Sequence, residues 1–330
     1  MRSTAVSTRA RRSSSAPRAK PTISVVIAAY EQTLTLAWLL QSLGVQDYDG
    51  QWEIIVCDDG STADLLSIVR DAHRRFGYDI RHVWQPHDGF RVSRSRNNGI
   101  RCATGQLLVF LDADMIVGPD FLSRHAQAHR HDEPRLVCGC RRWVQIDDAV
   151  DRSVRPSTLW RGARKGGEAA RQREYAASSS PWMACVSCNM SMPRRPEVWF
   201  EERFVGWGGE DRELALRLHV HHHYAVHYAP SIEGLHVTLP RGRLASDPFL
   251  RNDHDGIVRF IRNRLLLRSL HPTVDLRPAL EVLRKCFLDT STNRWYCGPR
   301  RGRASVEDVL ADAEAWLAAN DAGASAAKPS

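Results

Sequence analysis

The chain has 330 residues, 43% hydrophobic and 25% charged, an ordinary balance for a globular protein and enough to bury a substantial core in one large domain with appendages. Its net charge of +8 is not the footprint of a nucleic-acid binder: Arg2, Arg9, Arg11, Arg12, Arg18 and Lys20 stand near the start without an acid among them and leave about +2 for the rest. No apolar run approaches the roughly 18 residues of a membrane-spanning helix, which excludes a transmembrane reading.

Residues 1–20, with Ser13-Ser14-Ser15 and little apolar content, are expected to form a disordered basic tail. It reads as a solvated leader first, and second as a weak tether to anionic membrane or nucleic acid. No apolar stretch follows its charges, which argues against a signal peptide. Eight cysteines without a secretion signal then imply reduced thiols and a cytoplasmic location. Cys138-Gly-Cys140 and Cys185-Val-Ser-Cys188 offer zinc-type ligands, but the tight first spacing favours buried thiols.

Thr22 to Ala29 is β-branched and almost wholly apolar, as a strand buried on both faces is. Leu36, Leu39, Leu40 and Leu43 follow at helical spacing and stop at Gly44. Trp52 to Cys57 reads as the second strand. Leu65, Val69, Ala72 and Phe76 make a second helix ending at Gly77, and Ile80 to Trp84 a third strand. A helix from Ser93 to about Cys102 leads into the strand Gln106 to Leu111. The alternation predicts an α/β fold with a doubly wound, mostly parallel sheet and helices on both faces, whose ligands gather at the carboxyl ends of the strands.

The unusual residues fall at those ends: Ala28-Ala29-Tyr30-Glu31, Asp58-Asp59-Gly60-Ser61 and Asp112-Ala113-Asp114. Paired aspartates beside a buried strand repel unless a cation joins them, and Mn2+ or Mg2+ suits oxygen ligands that also receive phosphate. The alternative for such a pair is a helix-capping role. Past residue 145 the pattern loosens, and 151–180, rich in Arg, Gly, Ala and Ser, reads as a mobile loop with some helix.

Further on, Gly206-Trp207-Gly208-Gly209-Glu210-Asp211 combines glycines that admit a ligand, a flat aromatic face for a sugar, and two acids opening a helix through Leu214 and Leu218. A capped helix after a glycine turn explains the acids but not the tryptophan. His219, His221, His222, His223 and His227 read as structural. A last helix opens at Ser305-x-x-Asp308.

In this order, Ala29-Tyr30, Asp58-Asp59-Gly60-Ser61, Arg96-Asn97-Asn98-Gly99, Asp112-Ala113-Asp114 and the Gly-Trp-Gly-Gly-Glu-Asp run resemble the inverting family-2 glycosyltransferases over roughly residues 22–240. The last run is similar to the motif of the galactosyltransferase and bacterial chondroitin-polymerase groups. The resemblance implies a GT-A fold and a nucleotide-sugar donor, a UDP-sugar by family habit. On it, Ala28, Tyr30 and Asp59 hold the base and ribose with Glu31 nearby, Arg91 helps bind the nucleotide, and Asn97 and Ala113 belong to the donor site. Asp112 faces the ribose or the metal, Asp114 is the main metal ligand, and His236, placed after a strand Tyr224 to Ala229, is the late metal-binding histidine.

Asp211 resembles the catalytic base, with Glu210 its rival or a positioner of hydroxyls, and Trp207 with Gly208 walls the sugar. The chain departs from the family at Tyr30-Glu31-Gln32, where many relatives have Tyr-Asn, and Ser291-Thr292-Asn293-Arg294-Trp295 lacks the glutamine of processive membrane synthases, so one sugar per encounter is expected.

The organisation expected is a disordered tail (1–20), a nucleotide-sugar-binding subdomain (21–145), an acceptor-binding and catalytic subdomain (146–245), a helical C-terminal extension (246–320) and a disordered tail (321–330). A sugar nucleotidyltransferase would share the sheet and aspartates, but needs a glycine-rich loop after the first strand. A non-catalytic nucleic-acid or membrane-tethered binder would leave Asp114, Asp211 and Trp207 without purpose.

Overall fold

The structure, a computed structural model, describes residues 19–146, 154–163, 167–238, 252–298 and 305–326. The expected basic tail, but for its last two residues, lies outside them, as do 151–153 and 164–166 of the expected loop and 327–330 of the C-terminal tail.

β1 (Ile23–Ala29) is buried at every position, because it lies between β2 (Trp52–Asp58) and β4 (Leu107–Asp112) with a packed layer on each face. Its side chains alternate: Val25 and Ile27 enter one core, Val26 the other. α1 (Thr33–Leu43) places Leu36, Leu39, Leu40 and Leu43 against the first of these cores, joined there by Leu65, Ile68 and Val69 of α2 (Leu65–Phe76). The Asp64 carboxylate accepts from the Ser67 N–H at the start of α2, and Gly77, with φ of 72°, ends it. β3 (Asp79–Trp84) and α3 (Val92–Cys102) complete the first half. β3, β2, β1 and β4 run parallel in that order, as the alternation requires.

The second half extends the same sheet. β5 (Met115–Val117), α4 (Phe121–Ala128), β6 (Arg135–Gln145), the short α5 (Pro156–Leu159), α6 (Gly167–Ala176), β7 (Asn189–Pro193), α7 (Glu210–His222) and β8 (Ala225–Thr238) follow. The order is β3-β2-β1-β4-β7-β6-β8-β5, with β7 antiparallel to β4 and β5 antiparallel to β8. The one sheet takes β1 to β6 from before residue 146 and β7 and β8 from after it. Within 151–180, Gln172 of α6 donates to the Ala184 carbonyl at 3.0 Å, docking that helix beside the sheet.

The C-terminal extension is not helical throughout. α8 (His254–Leu270) and α9 (Arg277–Leu280) lead to a hairpin of β9 (Cys286–Asp289) and β10 (Arg294–Cys297), followed by α10 (Val306–Ala326). Ile257, Phe260, Ile261 and Trp295 share one core with Phe204, Leu214 and Leu216, so the extension covers the face that carries α7. Each such side chain contributes about 1.5–3 kcal/mol relative to exposure. Among the described residues no helix is long and apolar enough to cross a membrane.

Candidate active site

The carboxyl ends of β1, β2 and β4 form one rim. Tyr30 is exposed there and stacks on His87, ring centroids 4.5 Å apart. Ala28 is buried beneath it, and its carbonyl accepts the Ala113 N–H at 3.0 Å. Asp58 anchors the turn by accepting from Ser61 N at 2.8 Å and facing His82 Nε2 at 3.0 Å. Gly60 has φ of 83°, and a Cβ there would meet His87 N at 2.3 Å, which explains the glycine after the two aspartates. Asp59 accepts from Gln85 Nε2 at 2.6 Å and from the Arg91 N–H at 2.8 Å, so it fixes the backbone that presents Arg91 while each oxygen keeps a lone pair. Burial raises its pKa.

Several residues expected at the donor also make contacts within the protein. Glu31, at φ of 55°, accepts from Thr62 N, Thr62 Oγ1 and Ala63 N, clamping the loop after β1 to the loop after β2; the Thr62 N–H foremost lowers its pKa. The Arg91 guanidinium is paired with Asp88 at 2.7 Å. Asn97 is fully buried and bonds the Phe200 backbone in both directions at 2.9 Å, with a further bond to Glu202. It fastens α3 to the segment before α7 and presents no face to a donor. Ala113 is likewise wholly buried and joins the rim through its backbone.

Asp114 is half-buried, and desolvation raises its pKa; His236 opposes the shift and Asp112 adds to it. Its Oδ1 is buried and accepts no hydrogen bond among the described residues, and it faces His236 Nε2 at 3.5 Å. His236 sits within β8 rather than after a strand, between Met115 of β5 and Trp143 of β6, with its ring 4.3 Å from that of Trp143. An unsatisfied carboxylate oxygen beside an imidazole fits a divalent cation completed by substrate phosphate and water. Asp112, a third exposed, accepts from Arg96 Nη2 through its Oδ1 at 2.8 Å, and among the described residues no trio of His, Cys, Asp or Glu is already gathered on one position.

Gly206, Gly208 and Gly209 have φ of 82°, 84° and 117°, conformations that admit little but glycine. They turn the chain sharply into α7, whose first turn carries Glu210, Asp211 and Glu213 in favourable contact with the helix dipole. Trp207 stays exposed between them, stacked on Phe260 at 5.8 Å. Glu210 is buried and receives Arg96 Nη1 at 3.1 Å. Burial, and then the charge of Asp211, push its pKa up to about 7 against the pull of Arg96. Burial disfavours the Arg96 cation, yet Asp112 and Glu210 outweigh it and raise its pKa.

Arg96 thus joins the rim of β4 to the start of α7. It stood in the motif Arg96-Asn97-Asn98-Gly99 without a role. Arg141 of β6 was not anticipated either; despite burial its pKa is raised by Cys188, to which it donates at 3.4 Å, and by Asp211 and Asp112. A charged residue just after an apolar strand run was its available signal.

The extension supplies support from below. Asn263 of α8 donates to the Val205 and Gly208 carbonyls at 3.1 and 3.0 Å and accepts from Val205 N at 3.3 Å, and Arg264 reaches the Gly208 carbonyl at 3.3 Å. The Gly206 N–H donates to the Phe90 carbonyl at 3.0 Å, tying the turn to the loop that Asp59 holds.

Residues 24–189 match the model of the family described as "Glycosyl transferase family 2". The chain belongs to glycosyl transferase family 2. Within this glycosyltransferase family it is 32% identical over 222 residues to a validoxylamine A glucosyltransferase of Streptomyces hygroscopicus subsp. limoneus, covering 61% of this chain and 48% of that one. It is 26% identical to a hyaluronan synthase of Pasteurella multocida, over 59% of this chain and 22% of that one. The matched region thus spans half or less of these relatives.

Among solved structures, S. aureus TarS 1-349 in complex with UDP-GlcNAc superposes with a TM-score of 0.56 at 15% identity, over 79% of this chain and 70% of that one. The mannosyltransferase PcManGT from Pyrobaculum calidifontis, in complex with GDP-Man and Mn2+, gives 0.54 at 17%, over 95% and 78%. These neighbours are GT-A glycosyltransferases, and the fold of this family-2 chain is GT-A.

Proposed function

We propose that this glycosyltransferase moves one sugar from a nucleotide-sugar, a UDP-sugar first, to an acceptor hydroxyl or amine with inversion at the anomeric carbon. The observation that carries the reading is the Arg96 bridge from Asp112 to Glu210, which brings the start of α7 against the rim where a diphosphate would lie. Tyr30 and Asp59 bind base and ribose, with Arg91 beside them and Trp207 and Gly208 along the sugar. Asp211, half-buried and next to Glu210, removes the acceptor proton as the acceptor attacks from the face opposite the leaving group. Glu210, with its pKa near 7, orients a hydroxyl by hydrogen bonding. Mn2+ or Mg2+, held by Asp114 and His236 with Asp112 nearby, would neutralise charge on the departing diphosphate. Arg96 and Arg141 keep the three carboxylates Asp112, Glu210 and Asp211 from repelling one another.

The likeness to validoxylamine A glucosyltransferases supports UDP-glucose as the first donor to test and a small-molecule acceptor, ahead of polysaccharide or glycolipid. Calorimetric titration with UDP, GDP and dTDP, each with Mn2+ and with EDTA, tests the donor half. Manganese-dependent binding of UDP, abolished by Asp114→Ala, is expected. A folded sample that binds none of the three overturns the reading.

A further inference from the structure

Five cysteines, Cys57, Cys138, Cys140, Cys185 and Cys188, are buried in the main body, and Cys102 is half-buried at the end of α3. The remaining two lie on the C-terminal hairpin, where the register sets Cys286 of β9 directly opposite Cys297 of β10. The Gly298 N–H donates to the Lys285 carbonyl, so the pair before them is the hydrogen-bonded one. Cys286 and Cys297 are therefore a non-hydrogen-bonded pair, the closer kind, with Cα atoms about 4.5 Å apart in a regular ladder. The outward N–H groups agree: Trp295 N donates to His254 Nδ1 at 2.9 Å and Cys297 N to Asn252 Oδ1 at 2.8 Å, both away from β9. A separation of about 4.5 Å lies within the range that a disulfide spans.

We propose that Cys286 and Cys297 form a redox modification site, a cross-strand dithiol that a low-molecular-weight disulfide such as oxidised glutathione converts into an intramolecular disulfide. Cys297 is half-buried and Cys286 buried, so Cys297 meets the reagent first. Its thiolate attacks one sulfur of the reagent and releases one thiol, leaving a mixed disulfide on Cys297. Cys286, already in thiol–thiol contact with it, then loses its proton to water and attacks Cys297 Sγ, releasing the second thiol. Two protein thiols are oxidised and one reagent disulfide is reduced to two thiols. The hydrogen bond to Cys297 and burial raise the pKa of Cys286, in keeping with its place as the second thiol to react.

The consequence reaches the catalytic loop. The hairpin holds the start of α8 through His254 and Asn252, and α8 carries Phe260 and Asn263 beneath Trp207 and Gly208. A cross-link in the hairpin stiffens the support of that turn.

The test treats the full-length folded protein with oxidised glutathione, blocks remaining thiols with iodoacetamide and maps peptides by mass spectrometry without reduction. A Cys286–Cys297 linked peptide, two hydrogens lighter than the reduced pair and lost on adding dithiothreitol, is expected. Cys286→Ser should instead retain glutathione on Cys297. A stable glutathione adduct on wild-type Cys297, a link from Cys102 to Cys57, or two unmodified hairpin thiols in protein of native circular dichroism would each overturn the proposal. None of these readouts depends on the donor or on activity.

Discussion

Arg96 Nη1 lies 3.1 Å from Glu210 Oε1, across 114 residues of sequence, while its Nη2 holds Asp112 at 2.8 Å. One buried guanidinium thus connects the end of β4 to the start of α7. Its planar fork suits the task, since two parallel donors reach two separate carboxylates.

Arg96→Met leaves Glu210 buried without its partner cation, and breaking a buried pair in this way costs about 3–5 kcal/mol. Asp112 is a third exposed and softens the loss toward the lower figure. Urea denaturation should show a lower midpoint with an unchanged slope. Arg96→Lys should recover part of the stability, because a single ammonium cannot span both acids.

The raised pKa of Glu210 gives a pH dependence whose sign is fixed. The folded state holds the proton more tightly than the unfolded chain, so this group stabilises the fold fully below about pH 4.5 and loses that contribution as pH rises to about 7. Glu210→Gln removes the titration. The difference in urea midpoint between wild type and variant should therefore change across that window and level off above it. A constant difference would refute the assignment.

His236→Ala should weaken Mn2+-dependent UDP binding by about 10-fold or more, since even residues that only orient metal ligands cost that much when lost. Binding in EDTA should not change. Equal calorimetric affinities of variant and wild type in Mn2+ would mean that the cation is held elsewhere.

Asn263→Ala removes three hydrogen bonds from the Val205–Gly208 turn, and each buried group left unsatisfied costs about 1–3 kcal/mol. Amide exchange at Val205 and Gly206 should accelerate, and turnover should fall with UDP affinity unchanged, because Asn263 touches the turn and not the nucleotide rim. Protection equal to wild type would show that α8 is not the support.

Much of the fold was legible along the chain. The unbroken apolar run Ile23–Ala29 marks a strand covered on both faces, and the leucines of α1 repeat on one side of a helix, because burial on a sheet demands those periods. The acids at the strand ends and the Gly-Trp-Gly-Gly turn were equally visible, since turn geometry and charge are written in adjacent residues. The antiparallel insertion of β7 between β4 and β6 was not, nor was the hairpin Cys286–Cys297 within the extension; strand order depends on which apolar faces meet, and many partners fit a short strand. The same limit applies to the site. The residue types of Asn97 and Arg96 showed that they matter, but only packing decided that Asn97 turns inward to Phe200, that Arg96 reaches Glu210, and that α8 closes beneath Trp207. A local sequence specifies a residue's chemistry and its element; the partner a long side chain finds a hundred residues away is set by how those elements pack.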